Sequence, residues 1–357
     1  MLKSALYLHI PFCDSKCGYC AFNSKTNKNH LKQPYMQTLA NYLTKKLQIL
    51  QESYNKIQIT SIYIGGGTPS VVESYLYENI FAAFKPYLCD GCEITIEANP
   101  NSLDLEWLRN LKSYGVNRLS LGVQSFFEKK LEFLEREHKI KNSFNALEMA
   151  QSVGLDNVSI DLIYGTPFCI KNVLQEELEI SKKLPIAHIS AYELSLDAGS
   201  RFYKTHRGIL KDSSDEFCGF ASMGHFVKAY LEGFLQYEVS NYGRVSLHNL
   251  NYWQGGNYLG IGAGAFGCVE NERYFMPRNI YEFMQDFKEI KESLNKDDLE
   301  LERLFLGFRS CVGVDIGYIK NRQKLEILLQ ENKVFMDNDR IFAKDYFLGD
   351  EIALYLL

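Results

Sequence analysis

The first two hundred residues contain six short apolar runs rich in Ile, Val, Leu and Tyr, each ending in glycine, proline or a polar residue. Such runs are typical of buried β-strands. The predicted strands are 5–10, 60–64, 93–97, 118–123, 157–163 and 188–194. Between them, apolar residues recur every three or four positions, as in Leu39, Leu43, Leu47 and Leu50, which predicts helices with one apolar face. Alternating strands and helices predict parallel strands joined by right-handed crossovers.

The number of strand–helix units predicts an open barrel rather than a closed one. Eight units normally need about 250 residues, and the pattern fades after six. The predicted fold class is therefore α/β, a partial (β/α)6 barrel of the TIM type over residues 1–242. Residues 243–280 are predicted to form a polar, aromatic and glycine-rich connecting segment. Residues 281–357 are predicted to form a small C-terminal domain of helices and a β-wing, with a hairpin near 335–343.

Composition excludes several classes of protein. The chain has 357 residues, of which 46% are apolar, and its 39 basic and 44 acidic side chains give a formal charge of −5. These values exclude a disordered chain and argue against a nucleic-acid binder, which needs basic residues to neutralise phosphates. We find no apolar run of membrane-spanning length and no signal peptide. We therefore expect a soluble, cytoplasmic protein.

Nine cysteines are the one unusual count, and three of them are clustered as Cys13-x3-Cys17-x2-Cys20 just after the first predicted strand. Soft thiolates on a tight loop suit an iron–sulfur cluster or zinc. Structural zinc normally needs a fourth ligand, and no matched pair lies at finger-like spacing, so a four-iron cluster with one open iron is favoured over zinc or over buried, inert cysteines. Cys89 and Cys92 form a lone C-x2-C that is more typical of ordinary cysteines than of a redox pair.

Chemically active residues also stand at the ends of the other predicted strands. A glycine-rich segment at 65–69 follows the second strand, Glu97 ends the third, Gln124 follows the fourth and Asp161 lies in the fifth. Ligands of parallel βα folds bind at the carboxyl ends of the strands, where the loops converge. The sequence therefore predicts one site that includes the cysteine loop.

Longer strings around these residues resemble a known family. HIPFCDSKCGYCAF at 9–22 resembles the cluster loop of radical S-adenosylmethionine (SAM) proteins, and IYIGGGTPS at 62–70 resembles their glycine-rich turn along the methionyl amino group. IEANP, RLSLGVQSF, SIDLIYGTP and GIGAGAFG narrow the resemblance to the family of oxygen-independent coproporphyrinogen III oxidase, over about residues 5 to 270. The barrel expected from the pattern would then be the partial barrel of radical SAM proteins.

The resemblance implies a cofactor set and its ligands. Cys13, Cys17 and Cys20 would hold a [4Fe-4S] cluster whose fourth iron binds the amino and carboxylate groups of SAM. Glu97 would pair with the methionyl ammonium, and the remaining polar contacts would meet the carboxylate and ribose. The implied cofactor-contacting residues are Tyr7, Gly66, Gly67, Thr68, Glu97, Gln124, Arg136 and Asp161.

A second resemblance, to the heme chaperones of this family, lies further along the chain. YEVSNY at 237–242 is followed by HNLNYW at 248–253, which matches their H-N-x-x-Y-W hallmark. It implies that His248 is an axial heme ligand, although a lone histidine is more often a hydrogen-bonded structural residue. The expected partners are heme and apo-hemoprotein acceptors, and no nucleic acid. A homodimer and peripheral membrane contact stay open; the sequence carries no amphipathic or polybasic membrane signature.

Two functions from different classes are compatible with these motifs. One is a heme chaperone, and the other is an oxidase that decarboxylates coproporphyrinogen III by radical chemistry; radical chemistry on an unrelated substrate is a third alternative. The oxidases carry a further cysteine two residues after the last cluster cysteine, and this chain has Phe22 at that position. The oxidases also have a longer segment before the residue that matches Tyr7. These differences and HNLNYW favour the chaperone. Whether the chain is an enzyme stays open.

Overall fold

Six parallel strands form the centre of the fold. The computed structural model describes residues 1–168, 170–206, 220–285 and 287–357; Cys169 and Cys218 lie outside them. The strands pair in chain order, as predicted, and each contains or nearly contains its predicted run. They are β1 (Leu2–Ile10), β2 (Ile57–Gly66), β3 (Leu88–Ala98), β4 (Arg118–Gln124), β5 (Val158–Tyr164) and β6 (His188–Glu193).

Helices connect these strands and cover the sheet. In the first of them, Leu39, Leu43, Leu47 and Leu50 are all buried, so the predicted apolar face is confirmed. At the start of the third helix, the Asp104 side chain accepts a hydrogen bond from the backbone N of a residue in the first turn (2.8 Å). This bond caps the N-terminus of the helix. The helices are α1 (Lys32–Tyr54), α2 (Glu78–Phe84), α3 (Leu105–Tyr114), α4 (Glu128–Phe133), α5 (Ile140–Ser152), α6 (Lys171–Lys182), α7 (Arg201–Thr205) and α8 (Phe220–Tyr230).

Short strands that the apolar pattern did not predict extend both edges of the sheet. On one side, β7 (Asn241–Gly243) pairs antiparallel with β6. On the other, β8 (Tyr258–Ile261) is a further parallel strand beside β1, and β9 (Phe266–Val269), β10 (Glu272–Phe275) and β11 (Ile290–Ser293) follow it antiparallel. β7 and β11 therefore lie at opposite edges of an open barrel, which confirms the predicted fold class. Two short helices lie among these strands, α9 (Leu247–Trp253) and α10 (Ile280–Phe283).

The C-terminal part of the chain has its own apolar cluster, formed by residues from 304 to 356. It contains three helices and a three-stranded sheet, with the hairpin where the sequence predicted it; the turn residue Asn338 has a φ of 52°. The domain boundaries at 242 and 280 stay predictions. None of the helices in the described ranges is both long and apolar enough to cross a membrane. The elements are α11 (Lys296–Phe308), β12 (Val314–Asp315), α12 (Arg322–Gln330), β13 (Val334–Asp337), β14 (Arg340–Ala343) and α13 (Gly349–Leu356).

Candidate cofactor site

A cavity of about 330 Å³ opens at the carboxyl ends of the parallel strands. It brings together the cysteine loop after β1, the glycine-rich turn after β2 and polar side chains of β3, β4 and β5, as the convergence of βα loops requires. Every cluster and cofactor residue predicted from the sequence lines it except Tyr7 and His248. The lining includes Cys13, Cys17, Cys20, Gly66, Gly67, Thr68, Glu97, Gln124, Arg136 and Asp161.

The cysteine loop is fixed to its surroundings by backbone and side-chain hydrogen bonds. The Cys13 N donates to the Lys25 carbonyl (3.1 Å), which ties the two ends of the loop together. The Asn23 amide donates to the carbonyls of Ala263 and Arg278 (2.8 Å each). These bonds hold a segment without helix or strand in one place, so the thiols are positioned before any metal binds.

Hydrogen-bond donors point at two of the three sulfurs. The Thr68 hydroxyl donates to Cys13 Sγ (3.4 Å), and Arg136 Nη1 donates to Cys17 Sγ (3.5 Å). Burial raises the pKa of the Cys13 and Cys20 thiols, so a bound metal is needed to hold them as thiolates at neutral pH. Donors aimed at sulfur suit an iron–sulfur cluster.

Two carboxyl groups, those of Glu97 and Asp161, line the cavity, and neither forms an ion pair with a lysine or arginine among the described residues. Glu97 accepts from the Tyr63 hydroxyl (2.8 Å) and the Gly66 N (3.2 Å). Burial, and then repulsion from Asp161, raises the pKa of Glu97 to about 7; burial raises the pKa of Asp161 to about 6. A cation placed between these carboxyl groups would lower both pKa values, because it stabilises the charged carboxylates against burial and mutual repulsion. The pair therefore fits a ligand with an ammonium group, such as the methionyl part of SAM.

Arg136 and Gln124 are held rigidly at the cavity wall. Arg136 Nη2 donates to Asn99 Oδ1 (2.6 Å) and to the Gly122 carbonyl (2.9 Å). Gln124 has a φ of 65°, in the left-handed region that side-chain-bearing residues seldom adopt, and its Oε1 accepts from the Tyr192 hydroxyl (3.4 Å). Strained backbone of this kind concentrates at functional sites. Both side chains are thus oriented before a ligand binds.

The glycine-rich turn needs its glycines for packing inside the protein. Gly66 has a φ of 120°, and a Cβ on Gly67 would lie 2.5 Å from the Phe12 carbonyl oxygen. The resemblance to radical SAM proteins implies in addition that these glycines allow the backbone to approach a cofactor closely. Thr68 N donates to the same Phe12 carbonyl (2.7 Å). The turn is therefore locked to the cysteine loop, and its role towards SAM stays a prediction.

Tyr7 lies below the cavity rather than in its wall. Its hydroxyl is hydrogen-bonded to His9 Nδ1 (2.9 Å), and its ring stacks on Tyr63 with centroids 6.4 Å apart. His9 Nε2 is bonded in turn to the Asn23 carbonyl (2.9 Å). Tyr7 thus links the floor of the site to the cysteine loop, and its predicted contact with SAM stays a prediction.

His248 is buried in the barrel with a partner on each ring nitrogen. Nδ1 is bonded to the Ser61 hydroxyl (3.1 Å) and Nε2 to the Tyr252 hydroxyl (3.0 Å). Burial, and then the positive charge of Arg118, lowers the pKa of His248 to about 3, so the ring is neutral at physiological pH. Coordination of an iron by His248 needs one of these hydrogen bonds to break, and the ligand role stays a prediction.

Comparison with known proteins places the chain in a family. The Radical SAM superfamily pattern matches residues 7–169. The chain is 35% identical to the heme chaperone HemW of Haemophilus influenzae over 99% of this chain and 97% of that one. It is 34% identical to the heme chaperone HemW of Bacillus subtilis over 88% and 85%. The chain belongs to the HemW family. The resemblance predicted from the motifs is thereby confirmed.

A solved structure shows that the HemW-family chain shares its fold with a radical SAM enzyme. Coproporphyrinogen III oxidase (HemN) of Escherichia coli matches with a TM-score of 0.80, over 99% of this chain and 90% of the enzyme. The sequence identity is 19%. This likeness supports the fold, including the partial barrel and the C-terminal domain, and carries no information about the reaction.

The site of this HemW-family member contains polar residues that the sequence reasoning missed. Ser120 lies in β4, and Ser190 and Tyr192 alternate along β6; all three line the cavity. Ser190 and Tyr192 are two positions apart, and alternate residues of a strand face the same side. This spacing was the feature of the sequence from which their position in the site could have been predicted. Tyr63 was missed as well. It donates to Glu97 and its ring lies 5.3 Å from that of His248, so a single side chain separates the heme motif from the cofactor cavity.

Proposed function

We propose that the chain is a heme chaperone that binds heme and transfers it to apo-hemoproteins in the cytoplasm. It would carry a [4Fe-4S] cluster on Cys13, Cys17 and Cys20 with SAM at the fourth iron. The observation that carries the proposal is the likeness to heme chaperone HemW over 99% of this chain and 97% of that relative. A match of this extent includes both the cysteine loop and the HNLNYW segment.

The position of His248 supports this function. Its ring is neutral, as an axial ligand must be, and it lies on α9, a helix packed against β2 directly beneath Tyr63. The Ser246 hydroxyl accepts from the Asn249 N and caps this helix. His248 and the cofactor site therefore contact the same strand, with Tyr63 touching both, which allows the cluster to influence heme binding.

The chain's own residues have separate tasks towards the cluster and SAM. A SAM-chelated [4Fe-4S] cluster supplies one-electron chemistry when it is bound. Glu97 offers a carboxylate to the ammonium, Asp161 accepts hydrogen bonds from hydroxyls, and Arg136 donates to a carboxylate. Glu97 and Asp161 are partly buried, which strengthens their electrostatic interactions with a bound ligand.

An oxygen-independent coproporphyrinogen III oxidase is the second candidate. The observation in its favour is that the polar residues implied for SAM binding all line one cavity except Tyr7. Against it stands Phe22, which lies in the cavity wall and is 69% exposed, at the position where the resemblance implies a further cysteine in the oxidases. A phenyl ring there offers neither a ligand nor a proton donor.

One anaerobically reconstituted sample distinguishes the two functions. Heme is added and followed by its Soret absorbance, and coproporphyrinogen III is incubated with the protein, SAM and a reductant. We expect saturable heme binding near one equivalent and no decarboxylated product. Turnover of coproporphyrinogen III at an enzymatic rate would replace the chaperone proposal with the oxidase.

Replacement of His248 by alanine is expected to weaken heme binding on the order of tenfold and to shift the Soret band, because an axial ligand is lost. The measurement is the same heme titration. His188→Ala is a matched control, because His188 is equally buried and is also bonded to a serine and a tyrosine, Ser159 (2.7 Å) and Tyr237 (2.9 Å). Equal heme affinity and an unchanged Soret band in His248→Ala would remove the ligand assignment.

A further inference from the structure

A second cavity, of about 640 Å³, lies where α9 meets β8, β9 and α11. Its size falls in the range of about 300–1,000 Å³ that is usual for small-molecule sites. It is separate from the cysteine-lined cavity, with which it shares no residue. Its wall combines charged residues and glycines with large apolar and aromatic side chains. The apolar and aromatic ones are Tyr252, Tyr258, Leu299, Leu301, Phe305, Leu306 and Tyr318.

Two arginines and two glutamates line this cavity, and one of the arginines forms no ion pair in the described ranges. Arg303 donates to the carbonyls of Gln254 and Gly255 and takes part in no ion pair there. The other arginine of the cavity, Arg273, is paired with Glu302 (2.5 Å). A guanidinium has five N–H donors in a fork that matches a carboxylate. Arg303 therefore has donors left for an anionic group of a ligand.

Tyr252 connects this cavity to the buried histidine. Its ring lies between those of His248 and Tyr258, with centroids 5.0 and 4.8 Å away and both contacts edge-on. Its hydroxyl is bonded to His248 Nε2 (3.0 Å). The same side chain thus forms part of the cavity wall and covers the nitrogen that would bind iron.

We propose that this cavity is the heme seat: a carboxylate-bearing porphyrin packs against its aromatic wall, places one carboxylate on Arg303, and reaches His248 once Tyr252 moves away from Nε2. The proposal deepens the proposed function and rests on it. Wide aromatic and aliphatic surfaces suit a planar macrocycle. Arg303 orients that macrocycle, because its guanidinium gives one carboxylate a charged partner in place of the water that the carboxylate loses on binding.

Metal-free protoporphyrin IX tests the seat without any contribution from iron ligation. Its fluorescence is titrated against the full-length protein and two variants. Arg303→Gln removes the charge and is expected to weaken binding about tenfold, in line with the loss of a hydrogen bond to a charged group. Leu306→Trp fills part of the cavity and is expected to weaken binding by a similar factor or more.

Matched controls separate these effects from general destabilisation. Arg340 also holds two backbone carbonyls, those of Val312 and Gly313 (2.8 Å each), but lies outside the cavity, so Arg340→Gln is expected to bind the porphyrin like the wild type. Ile327→Trp adds the same ring on an exposed face of α12 and should likewise leave binding unchanged. Tm values of all four variants show that each is folded.

Tyr252→Phe tests the movement that the seat requires. Without the hydroxyl, the ring moves away from His248 Nε2 without breaking a hydrogen bond, so the Soret band after mixing with heme should appear severalfold faster, about what the loss of one neutral hydrogen bond gives. A rate equal to or slower than that of the wild type would contradict this part of the proposal.

The outcomes distinguish the seat from the function on which it rests. The proposed heme seat would be overturned if the wild-type protein binds heme and both Arg303→Gln and Leu306→Trp bind porphyrin as tightly as the wild type. The chaperone function would then remain in place. Wild-type protein that binds neither heme nor protoporphyrin IX would overturn both.

Discussion

Cys17→Ser loses the [4Fe-4S] cluster completely. Three thiolates are the whole protein ligand set implied for this cluster, and a serine hydroxyl is a hard donor that iron–sulfur clusters bind poorly in place of soft thiolate. The substitution also removes the sulfur that accepts from Arg136 (3.5 Å). After anaerobic reconstitution, we expect iron and acid-labile sulfide near background and no broad visible absorption.

Cys89→Ser is the control for this experiment. Cys89 lies in β3, away from the cysteine loop, and its thiol contacts the Thr60 carbonyl (3.7 Å) and the Cys92 side chain, so its replacement should leave iron and sulfide at the wild-type level. Full iron and sulfide in Cys17→Ser would show that our ligand set is wrong. Zinc without sulfide in the wild-type protein would show that the site is a zinc site instead.

Glu97→Gln is expected to change SAM binding and protein stability in opposite directions. The carboxylate proposed to pair with the SAM ammonium is lost, so SAM affinity should fall about a hundredfold, as for a buried charge pair that loses one partner. At the same time, the cluster-free protein at pH 8 should gain about 1 to 2 kcal/mol in its free energy of unfolding. The gain arises because glutamine carries no charge that burial and Asp161 disfavour.

The pH dependence of this gain follows from the raised pKa of Glu97. Its ordinary value is 4.5, and in the folded protein it is about 7. Between these values the folded state holds a proton that the unfolded state has released, so the wild-type free energy of unfolding falls as the pH rises. The advantage of Glu97→Gln should therefore be absent below pH 4.5, grow up to about pH 7 and stay constant above it.

Glu238→Gln is the matched control for both measurements. Burial also raises the pKa of Glu238 to about 7, but its side chain does not line the cysteine-lined cavity. Chemical unfolding at several pH values should show a similar gain for Glu238→Gln, while equilibrium dialysis with SAM should show wild-type affinity. Wild-type SAM affinity in Glu97→Gln, or a loss of stability at pH 8, would contradict the role given to this carboxylate.

The central strands could be predicted from the sequence because they are buried on both faces and are therefore continuous apolar runs. The short strands added beside this group could not. β8 and β9 are four residues each and contain one glycine each, so neither alternation nor a long run marks them. Gly260 shows what the structure requires there: a Cβ on it would lie 1.6 Å from the Phe266 carbonyl oxygen. Such close contact between the backbones of two neighbouring short strands leaves no periodic signal in the sequence.

Some features of the candidate site could likewise be predicted from the sequence, and others could not. Cysteine spacing and strand-end carboxylates are local features, and the structure gathers them around one cavity. The surroundings of His248 depend on residues far away in the chain, since Ser61 lies 187 positions before it and Tyr63 packs on its ring. The motif therefore predicted a histidine of interest, whereas the covering Tyr252 hydroxyl and the adjoining cavity needed the three-dimensional structure.

Heme transfer between proteins tests the central claim most directly. The full-length protein, reconstituted and loaded with one equivalent of heme, is mixed with the immobilised apo form of a b-type cytochrome, and Soret absorbance is read on both after separation. The account predicts that heme moves to the cytochrome at a rate that rises with the cytochrome concentration, as direct transfer requires. Heme that stays on the chain, or leaves at a rate independent of the acceptor, would contradict the chaperone function.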